Sequence, residues 1–152
     1  MAEVIDIDAV DYLVFSVINI VNVLMFFSFA ARMDRPDMER KLLIAVTAMA
    51  VPALAAIAMY AVEGYSWWHW AVPLVFVVWA VMEFAVDVIA KLEFKHPHDL
   101  KIIIPFIVVF HLSLVGMWFL TWEMGMAFWV TTAVFYAVHI VGMLYAQFRG
   151  GR

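Results

Sequence analysis

The chain has 152 residues, 68% hydrophobic and 14% charged, with a formal charge of −4 and no cysteine. A water-soluble domain carries about 25% charged residues, and a chain of this length has too little interior to hide so much apolar surface, so much of its outside must face lipid. The missing cysteine excludes disulfides, thiolate metal sites and cysteine nucleophiles, and the acidic balance, with no stretch both basic and aromatic, excludes nucleic acid as a partner.

A membrane-crossing helix needs about 20 mainly apolar residues, and mean hydropathy over the whole chain is already +0.99. The N-terminal residues are acidic, with Glu3, Asp6, Asp8 and Asp11, and no Lys or Arg precedes Arg32. A signal peptide starts with a basic region instead, so the first apolar stretch, 12–31, is expected to stay as a span. Ala2 follows Met1 and no cysteine can be acylated, so no lipidation motif is present. The span carries Asn19 and Asn22, three residues apart on one face.

The second predicted span, 42–62, is rich in alanine, which lets helix backbones approach closely in lipid. Pro52 in its middle should bend it and free backbone carbonyls. The connection after it, Glu63-Gly64-Tyr65-Ser66-Trp67-Trp68-His69-Trp70, is aromatic. It reads first as an interfacial belt, with Trp118, Trp122 and Trp129 at similar depth, and second as an aromatic cage for a cationic ligand.

The third predicted span, 70–90, holds Glu83 and Asp87 at i, i+4, with Trp79 and Lys91 on the same stripe. The fourth, 102–122, holds His111, and the fifth, 126–148, holds His139 with Thr132 and Tyr136 on nearly the same stripe. The fold expected is therefore an all-α integral membrane bundle of five transmembrane helices in a single domain. All nine Lys and Arg residues fall after the first, third and fifth spans. The positive-inside rule then puts the N-terminus outside and the C-terminus in the cytoplasm, in a plasma or inner membrane.

A charged side chain at a helix centre costs roughly 2.5–3.5 kcal/mol to insert, and such residues face the bundle interior. At a rise of about 1.5 Å per residue, Asn22, Glu83, His111 and His139 lie near one level, with Asp87 a turn further in. The expected site is Asn22, Glu83, Asp87, His111 and His139, supported by Asn19 and Tyr136. Each member also has a plainer role: Asn19 and Asn22 as hydrogen-bond links between helices, Asp87 as partner of Lys91, the histidines as satisfied core groups.

Transport or conduction of a small cation leads the functional expectations. Glu83, Asp87, His111 and His139 would hold a divalent metal or relay protons, in a homo-oligomer surrounded by the lipid bilayer. The alternative is an enzyme on a lipid or isoprenoid with Glu83 or Asp87 as acid or base. Further alternatives are a haem protein with His111 and His139 as axial ligands and Gly116 and Gly142 making room for the ring, and a structural or sensory subunit.

Overall fold

The computed structural model describes residues 7–32, 34–86 and 100–150. These form α1 (Ala9–Ala31), α2 (Pro36–Ala48), α3 (Ala50–Val62), α4 (Trp67–Phe84), α5 (Leu100–Glu123) and α6 (Met126–Gly150), with no strand among the described residues. Five helical stretches are long and apolar enough to cross a membrane, α2 and α3 together making the second. The third expected span ends outside the described residues, which stop at 86 on that side and place a wider, π-type turn at 85–86.

Local chemistry explains the boundaries. Asp8 precedes the first turn of α1, and its backbone N–H donates to Asp11 Oδ2 at 3.3 Å; both carboxylates sit at the positive end of the helix dipole. The second span begins at Pro36, six residues before the expected 42. Hydropathy hides this start because Asp37, Glu39, Arg40 and Lys41 fill the first turns. Yet Pro36 is pre-set for a first helical position, and acids suit a first turn.

Pro52 disturbs the span one turn ahead, at Met49, the one residue between α2 and α3, which stays near helical dihedrals (φ −65°, ψ −9°). It has no N–H for the carbonyl of Ala48, and its ring clashes there. The chain turns at Met49, whose N–H reaches Val46 O at 3.1 Å, and the helix resumes when Ala53 N–H donates to Met49 O at 3.2 Å. Pro52 is thereby moved into the first turn of α3, where no N–H is needed.

Contacts along the helices give their directions. α6 runs parallel to α1, since Phe15 meets Phe128, Asn22 meets His139 and Phe26 meets Gly142. α4 and α5 are antiparallel, with His69 against Glu123 and Trp79 against Phe106. The bundle thus has an Asp8 end and an Arg32 end. α1 packs on α2, α3, α5 and α6 and is the central helix. Val10, Val14, Val17, Ile18 and Val21 on it are at most 2% exposed. The outward faces are equally apolar, with Val62 at 87% and Phe148 at 81% exposure, which suits hydrocarbon and not water.

Two glycines permit close crossings. A Cβ on Gly116 would lie 2.8 Å from Val72 Cγ1, and one on Gly142 would lie 2.8 Å from Phe26 Cδ2 and 3.4 Å from Phe26 Cα. The space beside them is filled by α4 and α1, so these glycines serve helix packing and do not make the room for a ring expected from the sequence. Gly142→Val should push α6 off α1 and destabilise the bundle by about 1–3 kcal/mol, the usual cost of overpacking; a thermal melt in detergent beside wild type measures it.

Candidate functional site

Counting about 1.5 Å per residue from the Asp8 end, Trp79 and His111 lie about 18 Å down their helices and Asn22 and His139 about 20 Å. That is near the middle of a hydrocarbon core about 30 Å thick. His139 is fully buried and Asn22 likewise. His139 Nδ1 lies 3.0 Å from Asn22 Oδ1. The amide oxygen can only accept, so Nδ1 carries the hydrogen and Nε2 keeps a lone pair.

His111 brings its Nδ1 to 3.1 Å from the Tyr136 hydroxyl. The two imidazoles face each other, with centroids 5.6 Å apart and planes 18° from parallel. Phe29 lies against the other side of His139 at 5.8 Å and 16°, and the Arg32 guanidinium lies 5.0 Å over Phe29. Successive contacts Arg32–Phe29–His139–His111 therefore lead from the Arg32 end to the middle of the bundle. Tyr136 and Phe110 meet His139 at steep angles, 89° and 60°, and fix the ring sideways.

Asn19 donates through Nδ2 to Phe15 O at 2.7 Å and to Thr132 Oγ1 at 3.3 Å. It forms a second polar rung between α1 and α6, toward the Asp8 end. Beside it, Asn19, Ile20, Val23, Leu24 and Phe135 line a crevice of about 250 Å³. Glu83 is buried at 3% exposure, one turn beyond Trp79 on α4. Trp79 in turn lies 4.3 Å from Phe110 between centroids.

Of the residues expected from the sequence, Asn22, His111, His139 and Tyr136 come together, and Asn19 forms the neighbouring rung. Glu83 is in the interior, but among the described residues no group of three or more Asp, Glu or His is arranged to hold a metal ion. Asp87 lies outside the described residues. Phe29, Phe110 and Arg32 had no sequence signal as site residues, because ordinary apolar or loop roles account for them equally well.

A second cluster, unforeseen as a unit, sits at the Asp8 end. Tyr60 OH donates to Asp11 Oδ1 at 3.0 Å, and Tyr65 OH donates to Asp8 Oδ2. The bond to Asp8, followed by burial, holds the Tyr65 phenol above its ordinary range, so the hydroxyl stays protonated and the bond intact at neutral pH. His69 Nε2 lies 2.9 Å from Glu123 Oε2. Trp68, Tyr65 and Tyr60 surround this imidazole at 3.9, 5.0 and 5.4 Å. Two aromatic rings of this connection, Tyr65 and Trp68, do gather, but around the protein's own histidine.

Gly64 builds that arrangement. At φ +78° it ends α3, and Tyr65 N–H reaches back to Tyr60 O at 3.0 Å, a Schellman closure that sets Tyr65 on Tyr60. Gly64→Ala has space for its methyl but not the backbone freedom. It should cost about 1–2 kcal/mol, the penalty of a left-handed non-glycine residue, read as a lower thermal midpoint in detergent. Comparison with protein-family models, with curated proteins and with solved structures gives no match.

Proposed function

We propose that this chain conducts or transports protons across the membrane through the His111–His139 pair. The observation that carries the reading is the pair itself: two parallel imidazoles 5.6 Å apart at mid-membrane depth. Each is held at Nδ1 by a neutral partner, Asn22 or Tyr136. Anchoring one ring nitrogen leaves the other for proton exchange. A proton on one ring repels a proton on the other, so the pair passes a single charge. Ionisable groups at this depth mark relays and ion pathways in membrane proteins.

The remaining polar groups fit stations on such a route. Tyr136 holds His111 from α6, Asn22 holds the acceptor tautomer of His139, and Glu83 carries the path toward the Arg32 end. The Asp8 end is taken as outside and the Arg32 end as cytoplasmic, by the distribution of cations. A chain of this size is expected to work as a homo-oligomer. A proton is favoured over a divalent metal, because the three described members Glu83, His111 and His139 do not form a ligand set.

The test is proton flux into liposomes carrying the purified protein, driven by a potassium diffusion potential and read with a trapped pH-sensitive dye. Wild type should acidify the vesicles faster than protein-free vesicles do. His139→Gln, which keeps size and polarity but cannot exchange a proton, should lower the flux about a hundredfold or to background, the scale of a lost acid–base group. His111→Gln should act in the same direction. Wild-type flux equal to protein-free vesicles, or full flux in both variants, rejects the reading.

A further inference from the structure

The buried polar groups of this bundle divide by depth. Buried hydroxyls toward the Asp8 end satisfy themselves within their own helices. Thr121 donates to Trp118 O at 2.7 Å, Thr132 to Phe128 O at 3.0 Å and Ser113 to Phe110 O at 2.6 Å. The core around them is hydrocarbon: Val10, Val14, Val17, Leu114 and Met117 are at most 2% exposed.

From mid-membrane toward the Arg32 end the pattern reverses. Among the described residues, Asn22 Nδ2, Ser28 Oγ, Trp79 Nε1 and His139 Nε2 are buried and meet no hydrogen-bond partner, as does Asn19 Oδ1 at the boundary. Each such atom costs about 1–3 kcal/mol when left unpaired. Ser28 is the most telling. A helical serine can turn its hydroxyl to a carbonyl one turn back, as Ser113 does, yet Ser28, at 1% exposure, does not.

These atoms are also complementary in kind. The indole and the amide donate, the Nε2 of His139 accepts, and the serine does both. Buried water makes about three hydrogen bonds and settles where polar atoms of both kinds converge. We infer that water reaches the buried polar atoms of Asn22, Ser28, Trp79 and His139 from the Arg32 end of the bundle interior, while the Asp8 half is dry. The imidazole pair then sits at the inner limit of an aqueous half-channel and exchanges with one side of the membrane. This deepens the proton reading by naming the side, but hydration is observable without any flux.

The chain has no cysteine, so one introduced thiol reports alone. Ser28→Cys and Val17→Cys proteins in liposomes are exposed on each side in turn to a charged, membrane-impermeant methanethiosulfonate. A thiol reacts as its thiolate, which requires water. Ser28→Cys should react on the order of tenfold or more faster than Val17→Cys, and only from the Arg32 side. Equal rates, or labelling of Ser28→Cys from the Asp8 side, overturn the proposal. The unsubstituted protein supplies a second measurement. The Trp79 indole N–H, assigned with Trp79→Phe, should show magnetisation exchange with water by NMR, whereas that of Trp118, bonded to Trp129 O at 3.0 Å, should not. A Trp79 signal without water exchange overturns the proposal as well. A hydrated Ser28 in a protein without flux would sink the proton reading and leave this one standing.

Discussion

The hydrogen bond between His139 and Asn22 is the interaction on which the interior depends. Both side chains are fully buried near the middle of the bundle, where each group left without a partner would cost several kcal/mol. Satisfying them requires α1 and α6 to lie side by side, parallel, in one register. Gly142 allows the approach by letting Phe26 close in, and the Asn19–Thr132 rung repeats the link nearer the Asp8 end. The hydrophobic effect gives no drive for helix pairing in lipid, because lipid tails are as apolar as leucine, so close packing and polar links set the register. Polar pairs supply it here.

The same constraint places the histidine pair. His111 comes from α5, antiparallel to α6, and is held by Tyr136, one turn before His139. One helix therefore orients both imidazoles, His139 directly and His111 through the phenol. The aromatic rings of Phe29 and Phe110 close the remaining faces. The result is a pair with fixed geometry in a low dielectric, where a single charge shared between two rings has strong electrostatic consequences.

The two ends of the bundle are built differently. The Asp8 end is laced by carboxylate–tyrosine and carboxylate–histidine contacts that join α1 to α3 and α4 to α5. The Arg32 end has the Arg32–Glu39 ion pair at 2.7 Å, between α1 and α2, over an interior with unpartnered polar atoms. The Asp8 end also has a glycine-closed helix terminus and packed rings.

The sequence by itself determined an all-helical architecture with five long apolar stretches. Runs of about 20 apolar residues have the length and composition to cross a membrane, and five such runs reappear as five helical stretches. It also singled out Asn22, His111 and His139, because polar groups at that depth have no reason to be there without partners. The start of the second span escaped it, since charged residues in a first helical turn look like a loop until Pro36 is recognised as a helix opener. Partnership was decided only by the tertiary structure. Depth along five helices says which residues share a level, but rotation and neighbour order say which of them touch. Glu83 shares the interior without joining a metal-ligating group among the described residues, whereas Phe29 and Phe110, whose composition carries no message, flank His139. The Asp8-end cluster was equally hidden, because Asp8 and Glu123 are far in the chain from Tyr65 and His69 and meet them only when helix directions and the left-handed Gly64 bring their ends together.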